Sequence, residues 1–325
     1  MVCLSQSADS NVASDPLLFP SWVSTEGRYL LNLVAGYFDE STDVDTQGFC
    51  YTVAGFVAAQ DASVVLELRW RDLLTEYELD YFKASELNAG LGQFQKFRDT
   101  PDATEWRPFS KREKGVFLAI KTRFTDVIAG CRGLHGIGAT VILPDYVRLL
   151  ETYENAKNCV PLPYYLCQGM VLMHAGMMMQ KTNETRHSDK VFLRPIFDSH
   201  EQYSGQAKLG FDDFCAKNPR PAQYLLPLHY EREQDYLTLQ AADNLAFEAR
   251  KVLFNEENNP HLPQRVSMAR IKEKSDSTVQ IYRFDYKALK VFMDLQISGP
   301  DQFLQTWLEQ GGSFWELRDI FMEIG

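Results

Sequence analysis

Tyr29-Leu30-Leu31-Asn32-Leu33-Val34-Ala35-Gly36-Tyr37-Phe38 is an apolar run with the length and pattern of an interior strand, and it leads directly into Asp39-Glu40-Ser41. A carboxylate at the tip of a buried strand is costly to desolvate unless a cation meets it, and a divalent metal is the simplest such partner. The run predicts a strand, and its end predicts a site. Side chains alternate along a strand, so Asp39 and Glu40 face opposite ways, and Asp39 is the expected ligand.

Working outward, residues 42–48 are polar and end in Gly48. Phe49 to Ala58 is again aromatic and β-branched, which predicts an antiparallel neighbour joined by a longer hairpin loop. Leu66, Trp70, Leu73, Leu74 and Tyr77 recur at helical spacing, and Asn88 to Pro108 reads as a surface loop. Ser110 with Glu113 three residues on forms a capping box that opens a helix over Lys111–Cys131. A strand over Gly136–Leu143 is ended by Pro144, and a short helix over Val147–Asn155 follows.

Val160 to Gln180 carries no formal charge and is long enough to span a bilayer. It contains Pro161, Pro163, Gln168, Gly169 and His174, so a buried helix over Tyr164–Lys181 is expected, not a membrane span, with His174 as a hydrogen-bonded core residue. Val191 to Asp198 is a second apolar strand with an acidic end. Pro195 cannot donate to a ladder, so the strand is expected to be short and to start there. A helix over Gln202–Asn218 and a strand over Gln223–Tyr230 lead to a helix over Asp235–Asn255. On that helix Gln240, Asp243, Phe247 and Arg250 share one face, opposite a core face of Leu237, Ala241, Leu245, Ala249 and Val252.

The chain has 325 residues, 45% hydrophobic and 24% charged, with a net charge of -11. Such a balance argues against broad electrostatic attraction to nucleic acid but leaves room for a local basic groove. The basic stretch Arg265 to Lys274 is interrupted by Glu273 and reads as a mixed solvated face. The six cysteines have no CxxC pairing, which points to reduced thiols and a cytoplasmic protein. Residues 1–20 lack a basic region followed by an apolar core, so no signal peptide is expected. No phosphate-binding glycine loop or nucleophile elbow is present.

Three acids stand out by position: Asp39 and Asp198 at strand ends, and Asp243 on a late helix. Parallel strand ends faced by a helix gather such acids at the edge of an α/β sheet where ligands bind. Oxygen ligands of this kind suit Mg²⁺ or Mn²⁺ in phosphoryl transfer. Each also has a structural reading. Asp198 with Ser199 could cap the next helix, and Asp243 could pair with Arg250 or Arg232. Glu86 reads first as a solvated or capping carboxylate. His200 is a candidate general base or metal contact, and Lys83 could meet a phosphate.

Tyr37-Phe38-Asp39-Glu40-Ser41, Phe82-Lys83-Ala84-Ser85-Glu86-Leu87, Ile196-Phe197-Asp198 and Gln240-Ala241-Ala242-Asp243 occur in an order that resembles the family called domain of unknown function 3800. That family in turn resembles the ribonuclease H-like superfamily of metal-dependent nucleases, transposases and resolvases. The resemblance covers about residues 29–255. It implies an α/β fold with a ribonuclease H-like mixed sheet flanked by helices. Its three antiparallel strands would be 29–39, 49–58 and 136–143, with a helical insertion at about 60–131. It casts Asp39, Asp198 and Asp243 as the metal ligands of the first strand, the fourth strand and the last helix. The superfamily places a further Glu on the helix before the fourth strand. Tyr164 to Lys181 has no acid, so Glu86 or Glu40 would substitute.

The expected organisation is a flexible tail over 1–27, a ribonuclease H-like domain over 28–255 and a C-terminal extension over 256–325. The expected activity is divalent-metal-dependent phosphodiester cleavage by Asp39, Glu40, Asp198 and Asp243, with Gln240, Glu86, His200 and Lys83 in support and a nucleic acid as partner. Homo-oligomerisation is expected through the Phe-, Trp- and Leu-rich C-terminal helices. The alternative is a non-catalytic binding or assembly module on the same fold. A converging acid cluster favours the first reading, and dispersed acids with a large exposed apolar patch favour the second.

Overall fold

The computed structural model describes residues 32–42, 48–100, 107–185, 190–199, 204–262, 265–274, 279–299, 302, 303 and 306. The expected N-terminal tail, His200 and most of the aromatic C-terminal segments lie outside these residues. In chain order the elements are β1 (Asn32–Thr42), β2 (Cys50–Ala59), α1 (Gln60–Glu76), α2 (Ala84–Ala89), α3 (Lys111–Ala129) and β3 (Leu134–Ile142). They continue through α4 (Leu143–Thr152), α5 (Ala156–Cys159), α6 (Pro163–Thr185), β4 (Val191–Asp198), α7 (Ser204–Lys217) and α8 (Pro219–Ala222). The last are β5 (His229–Glu231), α9 (Leu237–Asn258), α10 (Val266–Lys274), β6 (Val279–Phe284) and α11 (Tyr286–Ser298).

The strands form one mixed sheet in the order β5-β4-β1-β2-β3-β6. β1, β2 and β3 are antiparallel in succession, while β4 runs parallel to β1, β5 parallel to β4, and β6 parallel to β3. The alternation of β1 and β2 splits the core in two. Phe38, Val53 and Val57 join Tyr164, Cys167 and Val171 of α6 on one face. On the other face Ala54, Phe56 and Ala58 pack with Trp70 of α1, Phe124 of α3 and Leu245 of α9. Gly55 is required where β2 crosses β1, because a Cβ there would lie 1.8 Å from the Tyr37 carbonyl oxygen.

Several local expectations need correction. β1 does not stop at Asp39. It stays paired with β2 as far as Thr42↔Tyr51, so Asp39 lies inside the strand and not at its tip. β4 runs through Pro195 over its full predicted length. Leu193 exchanges hydrogen bonds with Tyr224 and Leu226 on the β5 side, and alternation turns Pro195 to that same side. There the pairing breaks off between the Leu193↔Leu225 bridge and the start of β5, so the missing N–H interrupts no ladder.

The stretch after Asn88 is no plain surface loop. It includes a 3₁₀ turn over Gly92–Phe97 and a fully buried Phe94 packed on Phe82. Pro144 begins α4 instead of merely ending β3, as a proline in the first turn can. α9 has no solvent face over Thr238–Arg250, where every side chain is buried. The α3 capping box is present as the sequence indicates, and His174 Nδ1 meets the Tyr282 hydroxyl at 2.5 Å. No helix among the described residues is long and apolar enough to cross a membrane.

Candidate metal centre

Alternation in β1 turns Ala35, Tyr37 and Asp39 toward α9, against Leu239 and Ala242, and turns Phe38 and Glu40 toward α6. β4 is in register with β1 up to Phe38↔Phe197, so Asp198 emerges beside Asp39. α9 then lays Asp243 over this end of the sheet. One carboxylate oxygen from each of Asp39, Asp243 and Glu233 lies within 4.8 Å of the others, and all three residues are buried. The sequence reading did not single out Glu233.

Each acid is held by a backbone amide or a side chain. Asp39 Oδ1 accepts the Glu40 N–H at 2.7 Å, and Asp243 Oδ2 accepts the Ala84 N–H at 2.6 Å. Ala84 is the first residue of α2, whose N-cap Lys83 provides no side-chain cap, so Asp243 supplies one from across the structure. Glu233 Oε1 accepts from Lys83 Nζ. Asp198 Oδ1 accepts the Glu233 N–H at 2.9 Å and so holds the loop that carries Glu233. Gln240 clips the same parts together. Its Oε1 accepts from Trp70 Nε1 at 3.0 Å and from the Phe82 N–H at 2.9 Å, while its Nε2 donates to the Glu233 carbonyl at 3.0 Å.

These contacts leave two oxygens over. Asp39 Oδ2 and Glu233 Oε2 are buried with no hydrogen-bond partner. The electrostatics follow from that packing. Burial pushes the Asp39 carboxyl well above the usual range, and the charges of Asp243, Glu40, Asp198 and Glu233 push it further. Glu233 is raised to about 7 by burial and by Asp243, with Lys83 pulling the other way. Glu40 is raised to about 7 by burial and by Asp198, again opposed by Lys83. Burial also raises Asp243, against the pull of Lys83 and the Ala84 N–H. Burial disfavours the Lys83 ammonium, but Asp243 and Glu233 outweigh it and raise its pKa.

The residues expected from the sequence therefore divide. Asp39 and Asp243 come together, and Lys83 joins them through Glu233. Asp198, expected as a third ligand, is not among the three converging acids, and one of its oxygens accepts the Glu233 N–H. Glu40 lies on the opposite face of β1 and acts on the site through its charge. Glu86 is drawn away. Its Oε1 accepts from the Tyr81 hydroxyl at 3.0 Å, and its carboxylate sits over Gly92, where a Cβ would meet Oε2 at 2.0 Å. Gln240 positions the site without an oxygen to spare for it. Arg232 pairs with Asp235 instead of Asp243.

The chemistry of the donor set fits a hard divalent cation. All three groups offer carboxylate oxygen, two oxygens lack any other partner, and burial with mutual repulsion favours whatever neutralises them. Compared with known proteins, the chain matches no family model, no curated protein and no solved structure.

Proposed function

We propose that this protein cleaves phosphodiesters with a divalent metal, Mg²⁺ or Mn²⁺, held by Asp39, Glu233 and Asp243 on a ribonuclease H-like sheet. The observation that carries this reading is the pair of partnerless buried oxygens, Asp39 Oδ2 and Glu233 Oε2, within a converging carboxylate triad. The sheet order supports it as well. Three consecutive antiparallel strands are followed by β4 and β5 on the far side of β1, and 60–131 falls between β2 and β3 as the family resemblance requires. Acids that converge are what a catalytic centre needs and what a mere scaffold does not.

A bound Mg²⁺ or Mn²⁺ would supply Lewis-acid polarisation of a phosphoryl oxygen and a water of lowered pKa. The rest falls to the chain. Asp198 fixes the Glu233 backbone, and Gln240 ties Glu233 to Phe82 and Trp70, so that the ligands stay in place while substrate binds. Lys83, about one third exposed, is placed to donate from Nζ to a phosphate oxygen that approaches Glu233 from solvent. Glu40 adds negative charge behind Asp39 and strengthens the demand for a cation.

Calorimetric titration of Mn²⁺ and Mg²⁺ into wild type and Asp39→Ala/Asp243→Ala protein tests the reading, followed by cleavage assays on single- and double-stranded DNA and RNA. The expected result is binding and cleavage by wild type, both lost in the double variant. Absence of metal binding, with a non-hydrolysable phosphodiester also present, would overturn it.

A further inference from the structure

The acid centre carries a cation of its own. Lys83 Nζ donates to Glu233 Oε1, and the Lys83 side chain is about one third exposed. On local grounds the position is a poor one for lysine. Lys83 is the N-cap of α2, where it offers no side-chain cap, and an ammonium near a helix N-terminus is disfavoured. The backbone is nevertheless pinned on both sides of it. Gln240 Oε1 holds the Phe82 N–H at 2.9 Å and Asp243 Oδ2 holds the Ala84 N–H at 2.6 Å, so α9 clamps the residues before and after Lys83.

Lys83 serves more than one acid. Burial raises the carboxyls of Asp243, Glu233 and Glu40, and the Lys83 charge opposes that rise at all three. Burial also disfavours the ammonium, but Asp243, Glu233 and Asp39 outweigh that cost and keep it charged. An ammonium launched from a clamped backbone and shared among several buried acids is a part of the centre, unlike an exposed ion pair.

That placement bears on how many metal ions the centre holds. In two-metal phosphoryl transfer the ions lie about 3.5–4 Å apart, close enough for one carboxylate to bridge them. The two oxygens of Glu233 are already divided. Oε1 is taken by Lys83, while Oε2 is buried without a partner, as is Asp39 Oδ2. Asp198 Oδ1 and Asp243 Oδ2 are engaged by the Glu233 and Ala84 N–H groups. The oxygens left over suffice for one hard cation that keeps part of its water shell, as Mg²⁺ prefers.

We propose that the centre takes a single divalent ion and that Lys83 is its second cation, with the Glu233 carboxylate bridging the metal and the ammonium. This deepens the metal centre described above and rests on it. The charge that a second ion would bring to the phosphate comes instead from a side chain, and an ammonium has three N–H donors, so binding Glu233 leaves others for a phosphate oxygen.

The test counts ions and needs no turnover. Mn²⁺ is titrated into the whole chain with a non-hydrolysable phosphodiester present, followed by calorimetry and electron paramagnetic resonance. Wild type is expected to bind one Mn²⁺ with the spectrum of an isolated ion. Lys83→Met and Lys83→Gln drop the charge and free Glu233 Oε1, and are expected to bind two, with the spin-coupled spectrum of a close pair. Two ions in wild type would overturn the single-ion centre and leave the metal reading standing, whereas no ion would overturn both. One ion in the folded variants would also overturn it, since Lys83 would then be only a structural partner of Glu233. The wild-type count decides even where a variant fails to fold. The expected counts in a protein that cleaves nothing would support the role of Lys83 and overturn the cleavage activity alone.

Discussion

α9 carries two buried acids, Asp243 and Glu248, and the protein treats them in opposite ways. Burial alone would raise Glu248, yet Arg265 and Lys121 bring its pKa down to about 2. Arg265 grips both of its oxygens, at 2.8 and 3.0 Å, and Ser267 adds a hydroxyl. One turn and a half away, Asp243 sits among Asp39, Glu233 and Asp198 with Lys83 as the nearby ammonium, and its pKa is raised. The first arrangement is complete within the chain. The second leaves Asp39 Oδ2 and Glu233 Oε2 without a partner, and that difference sets a structural ion network apart from a candidate site.

The largest expected effect comes from breaking the complete arrangement. Glu248→Gln leaves Lys121 and Arg265 facing a neutral amide in a buried place, a loss of about 3 kcal/mol in stability. Urea unfolding measures it. Asp39→Asn in the other region should cost nothing and stabilise the metal-free protein by up to about 1 kcal/mol, because it removes a charge from a repelling cluster. If Asp39→Asn destabilised the metal-free protein as much as Glu248→Gln, the two regions would not differ as described.

The pH dependence sharpens the contrast. Glu40 and Glu233 hold their protons up to about 7 in the fold, whereas the ordinary glutamate value is 4.5. Between those values the folded state binds more protons than the unfolded one. Stability of the metal-free protein therefore falls as pH rises from 4.5 to about 7. Glu248 acts in the reverse sense, and its contribution is lost as pH drops from 4.5 toward 2. Saturating Mg²⁺ competes with the protons of the acid centre and should flatten only the upper limb. Chemical denaturation across pH, with and without Mg²⁺, checks both limbs.

How much of this was legible depends on where each acid sits. Asp39, Asp198 and Asp243 stood out because apolar periodicity ran into them, and the Ser110–Glu113 capping box was readable from spacing alone. Glu233 had no such context. It lies in the run Glu231-Arg232-Glu233-Gln234-Asp235, where nothing in the sequence tells which side chain turns inward. The choice is made by distant groups, the Asp198 carboxylate and the Gln240 amide. Phe94 was hidden for a similar reason, being one of two phenylalanines in a stretch rich in Gly, Gln and Asp.

That dependence on Gln240 yields the next prediction. Gln240→Leu strips partners from Trp70 Nε1, the Phe82 N–H and the Glu233 carbonyl, all in a buried setting. A stability loss of about 2 kcal/mol is expected, together with weaker Mn²⁺ binding because Glu233 and Lys83 lose their alignment. Gln240→Glu, which can still accept from Trp70 and Phe82, buries a further carboxyl against the Glu233 carbonyl and should recover neither the stability nor the alignment of Glu233. A purely structural role would leave Mn²⁺ affinity unchanged in both variants.

The smallest effect is expected at Glu86, and it bears on the boundary of the site. The sequence offered Glu86 as a substitute for the acid that the helix before β4 lacks. The fold gives it a local task instead, as acceptor for Tyr81 and a lid over Gly92. Gly92 has φ +54°, a left-handed conformation that glycine adopts without strain, and it lets the carboxylate lie directly on the backbone. Glu86→Gln keeps the shape and the acceptor, so stability should change by less than about 0.5 kcal/mol. Mn²⁺ affinity should stay within about twofold of wild type, since Glu86 carries no oxygen into the triad. A tenfold loss would instead mean that α2 swings Glu86 into the centre when metal binds, with Asp243, which holds the first N–H of that helix, as the hinge point.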